Sequence, residues 1–123
     1  PVQAVVLPIS DEKHLEYAEE VTRRLRRAGV RAEVQQYESL NYRIRQAEKA
    51  KVPYILVVGE REQETSTAAV RRHKVKEQRV LPVEEVVLEI ADKVRTRELD
   101  VHVARMAAKF EATSAATTED QAY

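Results

Sequence analysis

The chain has 123 residues, which is enough for one domain with a hydrophobic core and too few to suggest two. Hydrophobic residues make up 43% and charged residues 34%, and 21 Lys and Arg balance 21 Asp and Glu. Zero net charge argues against a generic polyanion-binding protein, and the absence of cysteine excludes disulfides, thiolate metal sites and cysteine nucleophiles. No apolar run approaches the roughly 20 residues of a membrane-spanning helix. We therefore expect a protein of the cytosol or an organellar matrix, with no membrane contact.

The first half of the chain alternates predicted strands and helices. Val2–Leu7 is short, β-branched and apolar, which predicts a buried strand. The next segment repeats apolar residues every three or four positions, with acids at its start and arginines in its last turn, which predicts a helix ending at Gly29. Val30–Val34 alternates as a strand with one solvated face. Ser39 can cap a second helix that ends before Pro53. Three basic residues of this second helix are expected to face solvent: Arg43, Arg45 and Lys49.

The second half of the chain predicts the rest of a sheet. Tyr54–Val58 is the most apolar segment and is expected to be a central strand covered on both faces. The segments 67–72 and 77–81 flank a polar turn, which predicts an antiparallel hairpin. Pro82 suits the first position of a final helix. Together these elements predict an α/β fold, a mixed five-stranded sheet with a parallel portion, flanked by three or four helices.

The C-terminal extension, residues 96–123, differs in kind from the predicted α/β domain over residues 1–95. Apolar residues spaced by four, three and four positions predict an amphipathic helix over residues 97–110. The remaining segment is a low-complexity acidic tail that we expect to be disordered. The predicted apolar stripe consists of Leu99, Val103, Met106 and Phe110.

Catalytic motifs are absent from the sequence. Gly29 and Gly59 are the only glycines, so there is no phosphate-binding glycine loop. His14, His73 and His102 lie in different segments without ligand-type neighbours and are predicted to be solvated, so we expect no metal or cofactor. No residue set pairs a nucleophile with a base, which disfavours a small α/β enzyme.

Positive charge is concentrated in residues 69–79. This segment carries five cations against Glu77 alone, so any polyanion would be met here. A solvated hairpin and a nucleic-acid contact both account for the pattern. The five cations are Arg71, Arg72, Lys74, Lys76 and Arg79.

Four segments, in this order and closely spaced, resemble the anticodon-binding domain of class II aminoacyl-tRNA synthetases, most of all the C-terminal domain of threonyl-tRNA synthetase. They read VVLPISD, AEEVTRRLRRAGVRAEV, LNYRIRQAEKAKVPYILVVGERE and AAVRR, and the resemblance covers about residues 1–95. Its most specific part is Tyr42–Glu62. The resemblance implies the same mixed sheet and a non-catalytic role, with adenylation and transfer in a separate domain.

The resemblance also implies RNA-binding residues. By position, Glu62 matches an acid that hydrogen-bonds an anticodon base, and Arg71 matches an arginine that contacts the same loop. A carboxylate accepts from base amino groups, and a guanidinium pairs with base edges or phosphates. A surface ion pair between the two residues, without an RNA role, is the alternative. Further candidates are Arg72, Lys74 and Lys76 for electrostatic attraction, Tyr37 and Glu38 after the second strand, and Arg45 on the second helix.

Two departures from the family pattern stand out. The segment QQYESLN is one residue shorter and has Tyr37 beside Glu38, where the family usually has an asparagine that helps to read the anticodon. Ser66 and the stretch KVKEQ occupy positions where the family tends to have glycine. The sequence thus predicts recognition of a tRNA anticodon stem-loop in support of threonine-tRNA aminoacylation. The alternative is a protein-interaction module that docks on a partner, or on a second copy, through residues 96–110.

Overall fold

The structure, a computed structural model, describes residues 1–36, 38–75 and 77–121, with side chains described as far as residue 112. The chain divides into two compact units, Pro1–Asp92 and Lys93–Tyr123. Five strands and four helices follow one another along it. They are β1 (Ala4–Pro8), α1 (Asp11–Arg27), β2 (Ala32–Val34), α2 (Leu40–Lys49), β3 (Tyr54–Val58), α3 (Glu60–Thr65), β4 (Thr67–Arg72), β5 (Gln78–Pro82) and α4 (Val83–Gln121).

The strands form one mixed sheet in the order β2-β1-β3-β4-β5. Strand β1 pairs in parallel with β2 and β3, while β4 is antiparallel to both β3 and β5. The predicted fold class, with its parallel portion and late antiparallel hairpin, is therefore confirmed. Because all three parallel strands end at the same edge, we call it the carboxyl edge and the opposite one the amino edge.

Helices α1 and α2 cover opposite faces of the sheet. Across the sheet, the connection from β1 to β2 runs toward one edge strand, and the connection from β2 to β3 runs back toward the other edge. Because both crossovers are right-handed, their helices lie on opposite faces of the sheet. On the α2 face, alternate residues of the three central strands pack in one apolar cluster with α2. This cluster contains Val5, Leu7, Ala47, Val52, Ile55, Val57 and Ala69, with Leu40 and Ile44 packed against it.

Two local predictions were wrong, and one helix was not predicted. Pro82 ends β5 and α4 starts at Val83, so this proline precedes the helix. Sequence analysis assigned no element to the segment after Gly59, which forms the short helix α3. His14 is buried instead of solvated, because its Nδ1 accepts a hydrogen bond from the Ser10 backbone N–H at 3.1 Å.

The second unit lies entirely within helix α4. Residues 97–110 are helical, and the helix extends to Gln121.

Three residues other than glycine adopt the left-handed backbone conformation: Lys51, Ser66 and Lys74, with φ of 58°, 55° and 68°. Each one joins two regular elements, and Ser66 ends helix α3. An L-residue in this conformation is strained by roughly 1–2 kcal/mol, whereas glycine is not. This strain explains physically why glycine would suit the position of Ser66.

Replacing Ser66 with glycine is expected to stabilise the protein by about 0.5–1 kcal/mol, because strain is relieved while unfolded-state entropy offsets part of the gain. The backbone hydrogen bond from Val83 N to Ser66 O remains available. Urea unfolding at 25 °C measures the change. The control Glu64→Gly, inside the same helix, should lose about 1 kcal/mol. A Ser66→Gly protein no more stable than the parent would contradict the assignment of strain.

Candidate nucleic-acid interface

Glu62 lies in helix α3 at the carboxyl edge, where it is half-buried. The helix starts directly after Gly59, where an added Cβ would displace only the tip of the exposed Ile9 side chain. The Tyr17 hydroxyl donates to Thr67 O at 2.6 Å and so joins α1 to the start of β4. Burial raises the pKa of Tyr17, Arg24 opposes this rise, and the Glu62 carboxylate adds to it. Helix α3, which contains Glu62, thus lies beside α1 and β4.

Arg71 lies on β4, where it pairs with Ile55 on one side and Gln78 on the other. Directly paired residues share a face of the sheet, so Arg71 lies on the α2 face with Ile55. Arg71 follows Thr67 by four positions, so the two residues lie roughly 14 Å apart along the strand. Within the described ranges neither Glu62 nor Arg71 has a side-chain hydrogen bond or ion pair. The alternative of a Glu62–Arg71 ion pair is therefore not what the structure contains.

The remaining basic residues of this segment diverge. Arg72 lies on the opposite face to Arg71, with its guanidinium 6.0 Å from the centre of the Tyr54 ring. Burial raises the pKa of Tyr54, and Arg72 opposes this rise. Lys74 is exposed in the turn between β4 and β5, and Lys76 lies outside the described residues. Among the described cations of residues 69–79, Arg71 lies on the α2 face while Arg72 and Arg79 lie on the opposite face, so these residues do not form one patch.

The α2 face is open over β5 and the end of β4. Val80, which pairs with Ala69, has 59% of its side chain exposed, and Gln78, which pairs with Arg71, is exposed as well. Arg71, Gln78 and Val80 therefore form a flat surface with a cationic donor, an amide and an apolar side chain. The alternation of side chains along a strand places Gln78 and Val80 on one face of β5. Sequence analysis did not use this pattern, and so it missed both residues.

The segment between β2 and α2 contributes exposed residues. Glu38 is exposed, and Tyr37 lies outside the described residues. Ser39 caps α2 as predicted, its Oγ accepting from the Tyr42 backbone N–H at 3.2 Å. Arg45 is exposed on the second turn of the helix.

Arg43 was predicted to face solvent, and this prediction is wrong. Its side chain is only 4% exposed, with Nη1 donating to Gln35 O at 2.6 Å and Nη2 donating to Pro8 O at 2.9 Å. The guanidinium therefore ties α2 to the ends of two neighbouring strands. Its position three residues after Leu40 and four before Ala47 places it on the inward stripe of α2, a spacing that could have revealed its burial.

Other kinds of site lack support in the part of the chain that the structure describes. No group of three or more His, Cys, Asp or Glu residues is arranged to hold a metal ion there. Among the same residues, no helix is both long enough and apolar enough to cross a membrane.

Comparison with known proteins identifies the family. Residues 3–93 match the family described as "Anticodon binding domain", and the chain belongs to this family. Its similar relatives include threonine-tRNA ligases, 43% identical over 98 residues in Geobacillus kaustophilus and 48% identical over 98 residues in Clostridium perfringens. These alignments cover 79% and 76% of the chain and 15% of each relative. The chain thus spans a small fraction of those enzymes.

Solved structures agree on the fold. The RNA binding domain of threonyl-tRNA synthetase from Cryptosporidium parvum has a TM-score of 0.69 and 30% identity, over 75% of this chain and 23% of that one. Histidyl-tRNA synthetase from Nostoc has a TM-score of 0.70, with 21% identity over 76% of this chain and 23% of that one. The resemblance found in the sequence is confirmed.

Replacing Arg43 with methionine is expected to lower the free energy of unfolding by about 2–4 kcal/mol, because the Pro8 and Gln35 carbonyls lose a charged donor in the interior. Chemical denaturation measures the loss. Arg45→Met removes the same charge from the exposed side of the same helix and should change stability by no more than about 0.5 kcal/mol. Equal effects of the two substitutions would show that the buried contacts do not stabilise the fold.

Proposed function

We propose that this chain recognises a tRNA anticodon stem-loop in support of threonine-tRNA aminoacylation, the reaction itself being carried out by a separate catalytic domain. The observation that carries the proposal is the family match over residues 3–93, together with threonine-tRNA ligases among the similar relatives. The chain acts as a binding domain and contributes affinity and specificity. Such a role belongs to translation and fits the cytoplasm or an organellar matrix.

Glu62 and Arg71 are the proposed base-reading residues. Neither side chain is occupied by a partner within the described residues, so both can pair with RNA without breaking an internal bond. Unstacked loop bases expose their hydrogen-bonding edges, which a carboxylate and a guanidinium read as acceptor and donor. Because the two residues lie on different elements, we expect them to contact different nucleotides. Glu38, which lies just before α2, and Tyr37, which precedes Glu38 in the sequence, are proposed to contact the same loop.

Electrostatic attraction is proposed to be modest. Three helices have acids in their first turn at the carboxyl edge, which opposes phosphate approach there. Arg71 and Lys74 lie toward the amino edge and attract the RNA backbone, and Lys76 belongs to the same turn sequence. Arg72 contributes less to binding, since its guanidinium already lies over Tyr54. With zero net charge overall, binding by the chain alone is expected to be weak and salt-sensitive.

The test is a binding titration of the chain against a threonine-tRNA anticodon stem-loop and a stem-loop with a scrambled anticodon. The native loop should bind at least tenfold more tightly, and Glu62→Ala or Arg71→Ala should each remove about 1–3 kcal/mol of that preference. Glu64→Ala, on the same short helix, is the matched control and should retain the preference. Equal binding of both loops by the parent chain would refute anticodon reading.

The second candidate function, a protein-interaction module, rests on the apolar stripe of the second unit. Leu99, Val103, Met106 and Phe110 are 58%, 55%, 57% and 73% exposed. Their spacing of four, three and four residues is that of a helix pairing with another helix. Burial of these side chains by a partner, or by a second copy, would remove the apolar surface from water.

For this second candidate, the double substitution Leu99→Ser and Phe110→Ser should abolish concentration-dependent association of the chain, measured by sedimentation. RNA affinity should remain within twofold of the parent, because the stripe lies outside the family match. Arg97→Ser and Lys109→Ser, on the same helix, serve as the control and should leave association intact. A parent chain that stays monomeric at every concentration would exclude self-association.

A further inference from the structure

Helix α4 has no covered side in the part of the second unit whose side chains are described. Every residue from 95 to 112 is exposed. Helices in proteins owe most of their stability to the packing of an apolar face, because isolated helices of this length are only marginally stable in water. The four side chains of the apolar stripe lie on one side of this stretch, and a partner that covers them would supply the missing packing.

The apolar stripe has the spacing of a coiled-coil seam, in which positions a and d of a seven-residue repeat, labelled a to g, are apolar. Val103 and Phe110 occupy position a, and Leu99 and Met106 occupy position d. In parallel coiled coils, a β-branched residue at a with leucine at d favours two strands over three or four. Val103 and Leu99 meet this condition, so the stripe fits one further helix of the same kind.

The two flanks of the stripe differ in charge. One flank, at position g, carries Arg95, His102 and Lys109, which follow one another at intervals of seven residues. The other flank, at position e, carries Asp100 and then Ala107. When two identical helices pair in parallel, opposite flanks meet, and position g of one helix faces position e of the next repeat in the other. Arg95 of each copy then faces Asp100 of the second copy.

Antiparallel pairing brings like flanks together instead. With the apolar side chains still in contact, His102 of one copy would lie beside Lys109 of the other. Asp100 would lie beside Ala107 and gain no ion pair. The charges on the flanks of the helix therefore favour the parallel arrangement, because charged residues at e and g set the orientation of a coiled coil.

We propose that the apolar stripe is covered by the same stripe of a second copy of this chain, with the two helices parallel and Arg95 paired with Asp100 across each flank. The inference rests on the second candidate function and deepens it, because it names the partner and its orientation. A parallel pair of identical helices has twofold symmetry, so both copies contribute the same surface and association stops at two. Each copy buries four apolar side chains, so the association is weak and requires high protein concentration.

The chain contains no cysteine, so a single introduced thiol reports the orientation of the pair. Leu99→Cys should form a disulfide between two copies under mild oxidation, because identical seam positions face each other in a parallel pair. In an antiparallel pair residue 99 would face residue 110, and the two copies of residue 99 would lie about 16 Å apart, beyond the roughly 7 Å that a disulfide bridges. Val101→Cys, exposed on the opposite side of the helix, is the matched control and should not crosslink.

Charge reversal tests the flanks in sedimentation of the full chain. Arg95→Glu should weaken self-association about tenfold, because each pair contains two Arg95–Asp100 contacts and the change turns attraction into repulsion. Arg95→Glu combined with Asp100→Arg exchanges the two charges and should restore the association to within about twofold of the parent. Arg97→Glu makes the same change outside the seam and its flanks, and should leave the association unchanged.

The outcomes separate this inference from the functions proposed above. A parent chain that stays monomeric at every concentration overturns the second copy as the partner. Suppose the parent associates and the Leu99→Ser, Phe110→Ser variant does not, but Leu99→Cys crosslinks no better than Val101→Cys. The second candidate function then stands, and the parallel arrangement is overturned. None of these measurements contains RNA, so the anticodon preference is decided independently by the stem-loop titration.

Discussion

A single buried guanidinium holds together the parts of this molecule on which the rest depends. Arg43 reaches from α2 to Pro8 O, at the end of β1, and to Gln35 O, just after β2. At these points the strand ladder stops, and a backbone carbonyl left without a donor in the interior is costly. Burying a charged side chain is costly as well, and the two carbonyls offset part of this cost by accepting from Nη1 and Nη2, while Nε is buried without a partner among the described residues. The position of α2, and of everything on its surface, follows from this contact.

The topology explains why only one face of the sheet remains open. Strand order reverses at β1, which sends α1 and α2 to opposite faces. Helix α2 packs on β1, β3 and Ala69 of β4, while β5 and the end of β4 extend the sheet beyond it. A flat surface of strand residues is therefore left next to a helix. Single-stranded nucleic acids are commonly bound on such surfaces, where bases stack and backbone phosphates meet isolated cations.

Sequence reasoning succeeded where a residue pattern reflects burial. The apolar stretch Tyr54–Val58 and the stripe of α1 predicted the sheet and its first helix, because both patterns record a face turned toward the core. Helix α3 was missed since it buries no residue and so has no apolar periodicity. Its position depends on Tyr17, which comes from a distant part of the chain.

The candidate site was predictable in part. Glu62 and Arg71 came from the resemblance, and simple alternation along β4 separates Arg71 from Arg72. The faces to which these two belong depend on strand register, which sequence alone did not give. Arg43 was assigned to solvent from its charge, although its spacing placed it inward. His14 was likewise assigned to solvent, although it lies four residues before Ala18 on the buried stripe of α1.

The outermost strand has a consequence for how the protein behaves at high concentration. Strand β5 is an edge, with unpaired backbone groups that could recruit a strand from another molecule. Pro82 at its end has no N–H to donate, and the exposed Arg79 of the same strand is ion-paired with Glu89. At the opposite edge, β2 is only three residues long. Both borders of the sheet therefore resist growth into intermolecular β-structure.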